Sequence, residues 1–414
     1  MSHSHSHSHP HSVETCYGWV VVIASLLLHS IGLGAPNILF VTLKPIAADL
    51  ETARWVPSMA FSLMMIGAGT GGIIMGWWMD KRGILQPVLF GSVMIALGAL
   101  IASFAEDRWS LFLANGLFIG FLGKAAMIAP LVANATRWFD RRRGLAISII
   151  ASGQGLAGAL WPPLIRYLND SVGWRETYFY YSIFAICTML PLAWLIRPKP
   201  PVPPTGAPAD RNAADGLVLG LPANLVQGML WLAVIGCCTA MAMPVVHLVS
   251  HATDLGHPVA RAAELLSVMM IAGFVSRIGF GMLADRVGAV PTLLIGSACQ
   301  AVMLLVFSMT ESLGGLYIAA VLFGLGFAGI MPCYPMILRI WFPVSQIGWR
   351  IAAQYMFAAL GMALGGWMAG QMYDLTGTYG PAFLTGLAFN VMNFVMIGFL
   401  FLRSRRIAAC VLRA

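Results

Sequence analysis

The chain has 414 residues, 59% of them hydrophobic and 10% charged, with a formal net charge of +8. Soluble domains carry roughly 25% charged residues, so this composition excludes a soluble enzyme or binding module and implies a polytopic membrane protein. The seven cysteines are odd in number and lie mostly inside apolar runs, which suggests small packing residues and neither a disulfide framework nor a metal site.

In chain order, MSHSHSHSHPHS comes first and holds five of the nine histidines. Its low complexity implies a solvated tail over 1–16, with weak metal chelation as the alternative. The first apolar run, 17–40, is long enough to span and carries His29 near mid-depth. Runs at 54–79, 85–105, 109–136, 143–167 and 177–196 complete a first set of six. GAGTGG (Gly67–Gly72) and GQGLAG (Gly153–Gly158) are surfaces for close helix approach and not phosphate loops. The fourth run holds Lys124, 13 residues from Arg137 and so roughly 20 Å from that edge at helical rise. The Pro-rich stretch 197–222 reads as a flexible linker.

Six more runs follow, at 224–250, 262–284, 290–309, 314–340, 348–372 and 381–403, then a tail over 404–414. His247 and Asp254 lie at the far end of the seventh. The eighth carries Arg277, eight residues before Asp285 and therefore about 12 Å from the membrane edge. The tenth contains GLGFAGIMPCYP, where Pro332 and Pro335 are expected to break the helix beside Tyr334. Tyr355 lies in the eleventh.

With a cytoplasmic N-terminus, the inner side holds Lys81, Arg82, Arg137, Arg141, Arg142, Arg143, Arg197, Lys199, Arg211, Arg286, Arg339, Arg350, Arg403, Arg405, Arg406 and Arg413. The outer side holds Lys44, Arg54, Arg108, Arg166, Arg175 and Arg261. That is 16 against 6 of the 24 cations, as the positive-inside rule requires. The remaining two, Lys124 and Arg277, fall inside spans, whereas none of the 16 acids lies in the middle of one. The halves also repeat: GWWMDKRG (Gly76–Gly83) and GMLADRVG (Gly281–Gly288) share the pattern G-x-x-x-D-[KR]-x-G. The expected fold is all-α, with twelve transmembrane helices in two pseudo-symmetric six-helix bundles, 17–196 and 223–403. A substrate site would lie at their interface near the midplane.

These features resemble the major facilitator superfamily. YGWVVVIASLLL in span 1, RWFDRRRGLAISIIASGQGLAG in span 5, VVHLVSHATDLG in span 7 and R-x-x-x-G-x-L-x-D-R in span 8 resemble, more narrowly, its monocarboxylate transporters and their bacterial relatives, including the oxalate:formate antiporter group. The resemblance implies that Arg277 binds a carboxylate and that His247 and Asp254 take part at the outer end of span 7. It also implies departures. Asn37 stands where animal members carry a lysine, Gly273 where they carry an aspartate, and no lysine occurs between Gly348 and Met372.

A cation at mid-depth costs several kcal/mol unless paired, and the spans offer no acid. An anionic ligand in a wet cavity is the natural counter-ion, and arginine's planar fork suits a carboxylate. The substrate-binding candidates are therefore Arg277, Lys124, His247, His29, Tyr334, Tyr355 and Asn37. Proton carriers would be Asp254, Lys124 and His247. For His29 a neutral ring making one interhelical bond remains the alternative. Asp80, Arg82, Asp285 and Arg286 are candidates for a gate on the cytoplasmic side.

The expected function is secondary active transport of a small monocarboxylate, lactate- or pyruvate-like, by alternating access with proton symport in the cell membrane. A dicarboxylate or organic-anion exchanger is the alternative, and a non-transporting sensor is a third. No HExxH, GxSxG or paired buried acids suggest catalysis. No ATP site, cofactor, metal, nucleic acid or obligate protein partner is expected. The partners are a small carboxylate anion, a proton and the lipid bilayer.

Overall fold

The computed structural model describes residues 14–52, 55–200 and 217–411. The His-rich leader lies outside them. Twelve helices among the described residues are long and apolar enough to cross a membrane. They run from span 1 (Cys16–Val41) to span 6 (Trp174–Leu195) and from span 7 (Ala223–Asp254) to span 12 (Gly380–Ile407).

Packing repeats the sequence symmetry. Within the first half span 1 packs on span 5, span 2 on span 4, and span 3 on span 6. The second half reproduces these pairs as 7 on 11, 8 on 10, and 9 on 12. Between the halves span 2 packs on span 11 and span 5 on span 8, two contacts that a pseudo-two-fold axis exchanges.

Three spans are broken where the sequence implied continuous helices. Span 1 bends at Leu33, between Cys16–Gly32 and Gly34–Val41. Pro36 has no N–H to bond back toward Gly32. Trp161 Nε1 donates to Ser30 O at 2.8 Å and the Tyr181 hydroxyl to Ile31 O at 2.6 Å, so nearby carbonyls gain side-chain partners. Both aromatics press on Gly34, where a Cβ would meet Tyr181 at 2.3 Å.

Span 4 is a π-helix over Leu113–Gly123 and a 3-10 turn over Lys124–Ala126, followed by an α-helix from Ala129 to Trp138. Lys124 therefore stands at a change of helix type, and the uniform rise behind its 20 Å depth does not hold. π segments are rare and frequent at functional sites. Span 10 breaks at Ala328–Gly329, one turn before the position expected from its prolines, which themselves lie inside Ile330–Trp341. Pro332 deprives the Ala328 carbonyl of its helical donor, so the break falls upstream of the proline.

The end of the stretch expected to be flexible linker is also ordered. Leu217–Val218 and Leu221–Pro222 pair as an antiparallel hairpin. Leu219 and Gly220 both have positive φ, 53° and 66°, as a two-residue hairpin turn requires. Arg403 of span 12 donates to Leu219 O and Gly220 O.

Candidate functional site

Four of the candidate binding residues converge from four spans at the seam between the halves. Arg277 comes from span 8 and donates from Nη1 to Ala151 O of span 5 at 3.0 Å. Its Nε is buried without a hydrogen-bond partner among the described residues. Tyr355 of span 11 lies within electrostatic reach of Arg277. His29 of span 1 is buried, and lies within reach of both Arg277 and Lys124. Its Nδ1 has no hydrogen-bond partner among the described residues. Gly153 leaves the space beside that ring, where a Cβ would approach His29 Cδ2 at 3.1 Å. Lys124 Nζ contacts Met65 Sδ at 3.4 Å, a weak acceptor. Among the described residues neither Arg277 nor Lys124 meets a carboxylate. The result is a positive, polar cluster built by both halves, with unused donors.

The other candidates are placed elsewhere. Asn37 donates to Leu33 O of its own helix at 2.7 Å, a bond that holds its amide at the bend of span 1. Tyr334 is fully buried inside the second half, where its hydroxyl bonds Asn393 Oδ1 at 3.0 Å and Asn393 bonds Ser297. Its hydroxyl is directed to spans 12 and 9 within the second half and not to the Arg277 cluster. His247 bonds Gly366 O through Nε2 at 2.9 Å and the Tyr379 hydroxyl through Nδ1 at 3.3 Å. A carbonyl only accepts, so Nε2 carries the proton and Nδ1 accepts from Tyr379. Burial holds the Tyr379 phenol above its ordinary pKa, so it stays protonated. Asp254 is exposed and bonds the Tyr373 hydroxyl; Tyr373 stacks on Tyr379 at 4.5 Å. Sequence reasoning missed this tyrosine bridge, because Tyr379 lies beyond span 11 and more than 120 residues from Asp254.

At the opposite end of the molecule the repeated motif closes the seam twice. Asp80 Oδ1 and Oδ2 accept from Gly348 N at 3.0 and 2.9 Å, and Oδ2 from Trp349 N at 3.2 Å. Asp285 accepts from Gly144 N at 2.6 Å and Leu145 N at 3.0 Å. Each carboxylate thus sits on the N-terminal turn of a helix from the other half, where unpaired N–H groups and the helix dipole favour an anion. Glycines allow the approach. A Cβ on Gly348 would stand 2.3 Å from Gly76 O, and one on Gly144 2.3 Å from Gly281 O.

The partner of Asp80 is Arg137 of span 4, whose Nη2 donates to Oδ1 at 2.6 Å. Arg82 and Arg286 are exposed and make none of these contacts. Contacts between the halves continue up to Gly69–Met356 and Gly155–Phe274. Sequence gave no sign of Arg137, which looked like one more edge cation.

Residues 22–276 and 229–409 match the family model of the Major Facilitator Superfamily. Monocarboxylate transporter 13 of Bos taurus is 28% identical over 387 residues, covering 90% of this chain and 87% of that protein. Monocarboxylate transporter 11 of Homo sapiens is 28% identical over 405 residues, covering 92% and 83%. The crystal structure of the E. coli fucose:proton symporter FucP superimposes with a TM-score of 0.70 at 16% identity, over 92% of this chain and 97% of that one.

Proposed function

We propose that this chain, which belongs to the major facilitator superfamily and is a multi-pass membrane transporter, moves a small monocarboxylate by alternating access together with a proton. One observation carries the reading. Arg277 and Lys124 stand at the seam inside membrane spans, with no carboxylate partner among the described residues. A buried cation is stable only if something compensates it, and a substrate carboxylate supplies both charge and acceptors. Arg277 takes the carboxylate on its fork, and Tyr355 and His29 flank it. The names of the two monocarboxylate transporter relatives support the same class.

The contacts at Asp80 and Asp285 form the closed gate. With both termini cytoplasmic, as the cation census requires, that gate is the cytoplasmic one and the conformation faces outward. Substrate enters from the Asp254 end, and the halves then rock about the site. Lys124, His247 and Asp254 are the groups to carry the proton. The protein acts in the cell membrane. A dicarboxylate exchanger is the second reading, favoured by one specific feature: His29 lies within electrostatic reach of two cations that could each hold a carboxylate.

The test is uptake into proteoliposomes with a panel of mono- and dicarboxylates, comparing wild type with Arg277→Lys. Lysine keeps the charge and loses the fork. Unimpaired transport by the lysine variant would sink the assignment of Arg277. Counterflow without pH dependence would select exchange over symport.

A further inference from the structure

A cavity of about 620 Å³ opens at the Asp80 end, away from Arg277. Both halves wall it: Trp77, Asp80 and Lys81 from span 2, and Gln346, Trp349 and Arg350 from the start of span 11, with the 217–222 hairpin on one side. Its charge is lopsided. The Asp80 oxygens already accept from Gly348 N, Trp349 N and Arg137. Arg350 is 4% exposed, yet every partner it has among the described residues is neutral. Nε and Nη2 donate to Gln346 Oε1 at 3.1 and 2.7 Å, and Nη1 donates to Gln227 Oε1 at 3.1 Å. Its guanidinium lies over the rings of Phe342 and Trp349, 4.2 and 4.5 Å from their centroids. Three of the five N–H donors are used, which leaves two. Lys81 lies over Trp77 at 4.2 Å and brings a second cation to the wall.

We propose that this cavity binds a phosphate group between Arg350 and Lys81, as an anion site separate from the one at Arg277. A phosphate carries one negative charge as a diester and nearly two as a monoester, and its oxygens point in several directions at once. It therefore meets a guanidinium on one wall and an ammonium on the other, where a planar carboxylate would favour the fork alone. Two sources share that chemistry: an anionic lipid headgroup, since the cavity opens at a span end, and a soluble phosphate ester. Because the walls belong to different halves, the ligand fits only when they touch at the Asp80 end. A ligand that binds one of two states shifts the population toward it. At ten times its Kd the shift is about 11-fold, so phosphate would hold the gate closed and slow the cycle.

The full chain in phosphatidylcholine nanodiscs is titrated with glycerol 3-phosphate, and compared with the chain in nanodiscs that include phosphatidylglycerol. The readouts are the thermal unfolding midpoint and tryptophan emission, with sodium chloride at matched ionic strength as control. The midpoint is expected to rise with at least one phosphate source, less in Lys81→Gln and not at all in Arg350→Gln. A response to the ester identifies a ligand from solution, and a response to phosphatidylglycerol alone identifies the lipid. No rise with either source, an equal rise with chloride, or an undiminished rise in Lys81→Gln overturns the proposal. Lys81 is exposed, so its variant keeps the test decisive if Arg350→Gln does not fold.

Discussion

Replacing Gly348 by alanine should open the Asp80 end. A Cβ there would lie 2.3 Å from Gly76 O, a backbone atom that cannot swing aside. An ordinary C···O contact needs about 3.3 Å, so the helices must part by about 1 Å. The Gly348 N–Asp80 bonds, now 3.0 and 2.9 Å, would stretch beyond hydrogen-bond range. Hydrogen bonds to a charged group contribute about 1.5–3 kcal/mol each. Losing the Gly348 and Trp349 bonds together therefore costs about 3–6 kcal/mol, or roughly 10²–10⁴ in the closed-to-open ratio. Gly144→Ala repeats the experiment at the symmetry-related seam, where the distance to Gly281 O is also 2.3 Å. Gly158→Ala is the control, because nothing lies within 4 Å of its Cβ position. Spin labels at the exposed Arg142 and Val287 would report the separation of the halves by pulsed EPR. Both seam variants should lengthen that distance and the control should not. Unchanged distances in Gly348→Ala and Gly144→Ala, or an equal shift in Gly158→Ala, would refute the reasoning.

Asp80→Asn should weaken the same gate, since the neutral amide loses the ion pair with Arg137 and keeps only one acceptor oxygen, while Arg82→Ala should leave the label distance unchanged. Arg277→Lys should lower carboxylate uptake by about tenfold or more through loss of the bidentate fork; a smaller effect argues against direct contact. Lys124→Gln should abolish uptake driven by a pH gradient while sparing exchange across equal pH, and intact pH-driven uptake would remove Lys124 from proton coupling. Trp161→Phe removes the donor to Ser30 O at the span 1 bend. It should cost about 1 kcal/mol in denaturant stability, and a neutral effect would mean that water fills that role.

Much of this protein was legible without coordinates. In a bilayer every span must be long, apolar and internally hydrogen-bonded, so the twelve runs, the six-plus-six division and the cation asymmetry follow from composition and spacing. A charge inside such a run is costly enough to announce itself, which is how Arg277 and Lys124 stood out. The repeated G-x-x-x-D-[KR]-x-G also fixed Asp80 and Asp285 as an equivalent pair.

The tertiary structure decided the rest. Arg137, and not the adjacent Arg82, reaches Asp80, because rotation about span 4 and not proximity in sequence aims a side chain. Tyr334 bonds Asn393 inside the second half, and Asn37 bonds Leu33 O at the bend of span 1. Arg350 looked like an edge cation, but Gln227 of span 7 and the turn at Phe342–Gln346 enclose it. Periodicity and spacing act within one helix, and they set which residues can be buried. Which helix a buried residue faces depends on breaks, crossing points and glycine contacts between chain segments hundreds of residues apart, and no local pattern records those.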